Sequence, residues 1–116
     1  MCNSLLAGDM AKTVEYMSED VVYHNKPWDP VTGHAAVREV LDPFAHGPDC
    51  AIKVMEIHHS VADGEVVINA RSELWERGEV SVLLPVAGVF KVRDGLIVRW
   101  DDYWDSVTLQ PLIDTL

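Results

Sequence analysis

The chain has 116 residues, of which 48% are hydrophobic and 24% charged, an ordinary globular composition long enough for one core and too short for two. Nine Lys and Arg stand against 19 Asp and Glu, a formal net charge of −10. That balance argues against nucleic acid as a partner, because its binders carry a positive footprint, and disfavours an anionic substrate, although local fields can override net charge.

The expectation is therefore a single domain over residues 1–116 that takes a neutral, apolar small molecule. No apolar run reaches the roughly 20 residues of a membrane helix, and no basic segment followed by an apolar one opens the chain as a secretory signal would. Cys2 and Cys50 have neither metal-site nor disulfide spacing, so a cytoplasmic location is expected. His58-His59 are adjacent on a predicted strand and point to opposite faces, so no metal site is expected.

Taken in order, Leu5-Leu6-Ala7 runs to a helix stop at Gly8, with Asp9 capping the next helix. The chain is expected to begin inside its first helix, with upstream residues missing. Met10, Val14 and Met17 recur at helical spacing. Ser18-Glu19-Asp20 reads as a turn and 21–26 as a strand, with Val21, Tyr23 and Asn25 on one face. Pro27, Pro30 and Gly33 predict a loop, in which Trp28 is a core plug or a lid. Thr32-Gly33 opens a helix carrying Val37, Val40, Leu41 and Phe44 inward, ended by Pro43 and Gly47-Pro48, with His34 exposed in its first turn.

Strands follow. Residues 51–61 alternate loosely, and Ala62-Asp63-Gly64 turns the chain. In 65–75, Val66, Ile68, Ala70, Ser72 and Leu74 share one face, and Val67, Asn69, Arg71, Glu73 and Trp75 the other. Arg77-Gly78 turns again into 79–92, where Pro85 marks a bulge or edge and Gly88 a bend. Asp94-Gly95 is a hairpin signal for Leu96-Ile97-Val98-Arg99-Trp100-Asp101-Asp102-Tyr103-Trp104-Asp105. There Leu96, Val98, Trp100, Asp102 and Trp104 line one side. The tail suits a short helix starting near Pro111. Helices followed by a four-strand antiparallel meander predict an α+β domain, a strongly curved sheet wrapped around a pocket with helices over its concave face.

Three places put polar residues where a sheet should be apolar: Tyr23 with Asn25, Arg71 with Glu73, and Asp102. A carboxylate in an apolar row has a raised pKa and can act as a base. The three groups together hold an acid, a base, a cation that can bridge them and two groups able to hold a water. Each also has an ordinary alternative: Arg71–Glu73 as a surface ion pair, Tyr23 and Asn25 as strand-end decoration, Asp102 at the wet end of the sheet.

Tyr23-His24-Asn25, Pro30-Val31-Thr32-Gly33, Arg71-Ser72-Glu73, Gly88-Val89-Phe90, Asp94-Gly95 and Trp100-Asp101-Asp102-Tyr103-Trp104-Asp105 resemble limonene-1,2-epoxide hydrolases. That family belongs to the cone-shaped, nuclear-transport-factor-2-like α+β fold, shared with ketosteroid isomerases and polyketide cyclases. The resemblance implies that Asp102 deprotonates a water held by Tyr23 and Asn25. It implies too that Arg71 links the two acids and that Glu73 protonates the epoxide oxygen. The family carries Asp at the Glu73 position; Glu keeps the chemistry but reaches about one methylene further, and about 1 Å of misplacement can be costly. Water and a lipophilic epoxide are the implied reactants, with no cofactor, and a homodimer is the implied assembly. Two rival classes share the fold: an isomerase or cyclase using Asp102 as base, and a non-catalytic small-ligand or dimerisation module.

Overall fold

The computed structural model describes residues 1, 5, 7–45 and 50–115. Helix α1 spans Met10–Glu15, strand β1 Met17–Asn25, β2 Val31–Thr32 and α2 His34–Ala45. Strands β3 (Ile52–Asp63), β4 (Val66–Arg77), β5 (Val80–Arg93) and β6 (Leu96–Tyr103) follow, then α3 over Ser106–Ile113. The predicted meander is present, and the curved sheet has six strands in the order β2-β1-β6-β5-β4-β3. All pairs are antiparallel except β1 with β6, which is parallel. That pairing makes the sheet mixed and brings Tyr23 beside Trp100 and Asn25 beside Asp102.

Local chemistry explains the boundaries. Asp9 caps α1, its side chain accepting from the Lys12 N–H at 3.1 Å. The helix stops before Met17, whose side chain is buried as the first residue of β1 rather than on the helical stripe. The Ile97 N–H donates to the Tyr16 carbonyl at 2.8 Å and draws the chain into the sheet. Ser18-Glu19-Asp20 is consequently strand, not turn, and the polar triplet coincides with an irregularity between Met17 and Val22. Val31-Thr32, expected as loop, pairs with β1 as a short edge strand.

In α2, Val37, Leu41 and Phe44 are buried, as the spacing predicted. Pro43 lies in the final turn instead of ending the helix, and Gly47-Pro48 lie outside the described residues. His34 is half-buried, not exposed, because its Nε2 donates to the Met17 carbonyl at 3.0 Å. The last helix starts five residues before Pro111, at Ser106, because Asp105 caps it: Oδ1 accepts from the Val107 N–H and Oδ2 from the Thr108 hydroxyl, each at 3.0 Å. Asp94 and Gly95 take positive φ values of 53° and 79°, the left-handed pair that a tight hairpin between twisted strands requires. Pro85 lies beyond the last β5–β6 pair, Ala87 with Tyr103, so β5 is locally an edge there and a missing N–H is tolerated.

The helices cover one face of the sheet. Phe44 of α2 meets Trp75 of β4 edge-on at 5.3 Å, and Leu109 and Leu112 of α3 join the same core. Tyr23, Trp100 and Phe90 stack in one row across β1, β6 and β5, with centroids 4.2 and 5.6 Å apart. Leu112 is fully buried, so Leu112→Ala is expected to destabilise the chain by about 2–5 kcal/mol in urea denaturation.

Candidate active site

The covered face of β4 is polar where a sheet core is normally apolar. Asn69, Arg71 and Glu73 are all buried, while Ile68 on the opposite face is 43% exposed. Burying these groups is costly unless they are paired and hydrogen-bonded, and they are. Arg71 Nε donates to Glu73 Oε2 at 2.7 Å, Nη2 to Asp102 Oδ2 at 2.7 Å, and Nη1 to Asn69 Oδ1 at 2.9 Å. Each carboxylate also receives an indole N–H: Trp75 donates to Glu73 Oε1 at 3.1 Å and Trp100 to Asp102 Oδ1 at 2.7 Å.

Arg71 reaches Asp102 across an intervening strand, and Gly88 is what permits it. In register, Gly88 of β5 sits between Asn69 of β4 and Asp102 of β6. A Cβ there would lie 2.5 Å from Arg71 Nη1 and 3.0 Å from Asp102 Oδ1. The residue expected as a bend is thus a straight-strand gap through which the guanidinium passes.

Tyr23 and Asn25 complete the group on the Asp102 side. The Tyr23 hydroxyl donates to Asn25 Oδ1 at 3.0 Å, and Trp104 Nε1 donates to the same oxygen at 2.9 Å. Tyr23, Asn25, Arg71, Glu73 and Asp102 all line one cavity. Apolar side chains from both sheet and helices, including Leu41, Phe44, Leu84 and Leu109, form much of its remaining wall. Trp28 is neither plug nor full lid: it is 38% exposed, lines the cavity, and packs edge-on against Trp104 at 5.0 Å.

Burial pushes the Asp102 carboxyl up to about 6, with the charge of Glu73 adding to it and Arg71 and Trp100 opposing. Burial alone would lower the Arg71 pKa, but the two carboxylates overcome it and hold the guanidinium firmly charged. Burial and then the charge of Asp102 drive the Tyr23 phenol well above its usual value. The neighbouring Asp101 points to the other side of β6, accepting from Arg99 at 2.8 and 3.0 Å and lying 3.1 Å from Lys26. Burial would raise its pKa, but those cations lower it instead. Two adjacent aspartates are therefore divided by strand alternation into an ion-paired carboxylate of lowered pKa and a carboxyl of raised pKa.

All the residues singled out in the sequence meet in this one cavity. Asn69, Trp75, Trp100, Trp104 and Gly88 were not assigned site roles from the sequence. The first three have a readable signal, since each lies two residues from Arg71, Glu73 or Asp102 on the same strand face. Among the described residues no cluster of three or more His, Cys, Asp or Glu side chains is arranged to hold a metal ion.

A curved mixed sheet closed by helices over a buried polar cluster defines the nuclear-transport-factor-2-like cone fold. Residues 1–100 match the SnoaL-like domain, and the chain belongs to that family. It is 30% identical over 103 residues to the epoxide hydrolase EphG of Mycobacterium tuberculosis, covering 89% of this chain and 67% of that protein. A limonene-epoxide-hydrolase-like (LEH-like) epoxide hydrolase from M. tuberculosis superposes with a TM-score of 0.76 at 27% identity, covering 97% of this chain and 86% of the other. A Shewanella putrefaciens protein assigned as a SnoaL-like polyketide cyclase reaches the same TM-score at 14% identity, covering 99% and 81%. That last likeness is one of fold alone.

The gap at Gly88 is directly testable. The guanidinium is held by three hydrogen bonds and cannot swing aside freely, so Gly88→Ala is expected to cost about 1–3 kcal/mol by overpacking. Urea denaturation measures the loss; an unchanged midpoint would mean that Arg71 has another path to Asp102.

Proposed function

We propose that this protein is an epoxide hydrolase that adds water to a lipophilic, terpene-like epoxide and yields a vicinal diol without a covalent intermediate. The observation carrying this reading is the Arg71 bridge, 2.7 Å from each of two buried carboxylates, with Tyr23 and Asn25 beside only one of them. The near-symmetric acid pair is thereby made asymmetric, and the water belongs on the Asp102 side.

Epoxide opening needs a nucleophile at carbon and a proton at oxygen. Asp102 takes one proton from the water as its oxygen bonds to the epoxide carbon. The carbon–oxygen bond of the ring breaks, and the departing oxygen takes the proton of Glu73. Each proton transfer is worth roughly 10²–10⁴-fold. The cycle closes when Asp102 loses its proton and Glu73 regains one through solvent. Each carboxyl oxygen accepts one hydrogen bond from Arg71 or an indole, so each keeps a second lone pair for this exchange. Arg71 stays a cation throughout and bridges the pair. The longer reach of Glu73 is taken up by Trp75 and Arg71, which fix its two oxygens separately.

The isomerase or cyclase alternative needs a donor opposite the base for an enolate oxygen. Tyr23 is the candidate, but its proton is already committed to Asn25 Oδ1, which favours hydrolysis. A pure binding module has no use for a buried, charged triad. A single domain over 1–116, a cytoplasmic location and a homodimer complete the proposal. The homodimer is supported by the apolar outer face of β3 to β6, where Val54, Val61, Leu83 and Tyr103 are exposed. No helix of the described residues is long and apolar enough to cross a membrane.

The decisive assay offers a panel of lipophilic epoxides in ¹⁸O-labelled water and reads the diol by mass spectrometry. Single-label incorporation on the first turnover is expected, with loss of diol in Asp102→Asn and Glu73→Gln at retained fold. Wild-type turnover in either variant overturns the assignment of roles. Asp102 must be ionised to act as base and is protonated below about 6, so kcat/KM is expected to fall as pH drops through about 6. A flat profile from pH 8 to 5 would remove Asp102 from that role.

A further inference from the structure

We propose that Trp104 is a positioning residue that fixes which end of the Asn25 amide faces the reacting water. The inference rests on the water-adding reading above and concerns a side chain that neither acid–base pair nor bridge uses.

An asparagine side chain is nearly symmetric in shape but not in chemistry: one end donates and the other accepts. Tyr23 alone cannot decide between the two ends, because a hydroxyl donates to an oxygen or accepts from an NH₂ equally well. Trp104 can decide, because an indole N–H only donates. Its Nε1 lies 2.9 Å from the Asn25 side chain, so the atom it meets must be Oδ1. With that oxygen fixed, the Tyr23 hydroxyl is forced to donate to it as well, at 3.0 Å. Both donors converge on one oxygen, and Nδ2 is left as the amide atom available to the cavity that Asn25 lines.

The consequence for the water follows from its valence. It accepts from Nδ2 with one lone pair, donates one proton to Asp102, and donates the other to the Tyr23 oxygen, whose own proton is directed away. One lone pair remains, and that is the one that attacks carbon. Reversing the amide would present Oδ1 instead, which draws a proton of the water and leaves its orientation relative to Asp102 undefined. Trp104 is well placed to hold the choice. It stands between the end of β6 and the Asp105 cap of α3, and its ring is braced edge-on by Trp28 at 5.0 Å.

The test is Trp104→Phe, which retains a ring against Trp28 and removes the donor. Loss of one neutral hydrogen bond predicts a kcat lower by roughly three- to tenfold with little change in KM. A merely structural role would instead lower the melting temperature and move both constants. A second readout does not depend on turnover. The chain contains Asn only at 3, 25 and 69, so selective ¹⁵N-asparagine labelling gives three side-chain NH₂ pairs, with Asn25→Ser as the assignment control. In Trp104→Phe the Asn25 pair is expected to shift or double, while that of Asn69, held by Arg71, stays in place. An unmoved Asn25 pair, or a shifted pair with unchanged kcat, overturns the proposal. If the wild type forms no diol, the water-adding reading fails, and the NH₂ spectrum still decides whether Trp104 fixes the amide. If Trp104→Phe does not fold, hydrogen exchange of the wild-type indoles decides: Trp104 should be protected, and Asn25→Ala should abolish that protection.

Discussion

The site depends on one cation crossing one strand. Arg71 leaves β4, passes over the bare backbone of Gly88 in β5, and joins Asp102 in β6 while its Nε holds Glu73. Remove the guanidinium and two carboxylates would face each other in an apolar cavity, where like charges cannot both ionise cheaply. Keep it, and each carboxylate has a cation within hydrogen-bond distance, so the buried charges are paired. The order of strands, the register of β5 and the missing Cβ all serve that single reach.

The arrangement is not built for stability. A buried ion network of this kind is often no better than an apolar one of similar volume, yet breaking it by removing one member is strongly destabilising, by about 3–5 kcal/mol. Its value lies in fixing donors and acceptors in the folded state, ahead of any substrate. The indoles extend that order outward: Trp75 and Trp100 hold the two carboxylates, and Trp104 holds Asn25. Each contributes an apolar wall and a single donor of unambiguous direction.

Much of this was legible in the residues because a strand has a simple period. Alternation placed Tyr23 with Asn25, Arg71 with Glu73, and Asp102 with Trp100, and the hairpin at Asp94-Gly95 followed from the turn chemistry of that pair. Convergence of the three strands was not legible. It depends on the parallel β1–β6 contact, a pairing between segments more than 70 residues apart that no local pattern encodes. The errors were likewise tertiary overrides. Met17 fits a helical stripe but is captured by the sheet, and Pro111 suggests a helix start that Asp105 had already made. Gly88 was visible as a glycine, but its purpose appears only when Arg71 lies over it.

Strand β4 wears its chemistry inside out: Asn69, Arg71 and Glu73 face the core, and Ile68 faces water. A slip of one residue in its pairing would exchange the two rows, hiding the aliphatic side chains and releasing the charges to solvent. Over residues 68–73 alone, that mispaired state is the more comfortable one, although it would expose Trp75 on the same row. Native register must therefore be imposed from outside β4, by the tight turn to β5 after Arg77 and by Asp102 waiting two strands away. The buried ion network is thus a source of frustration in the folding landscape. Over residues 68–73 the chain is drawn toward an alternative sheet, and the turn, buried Trp75 and the completed ion network reward the correct one.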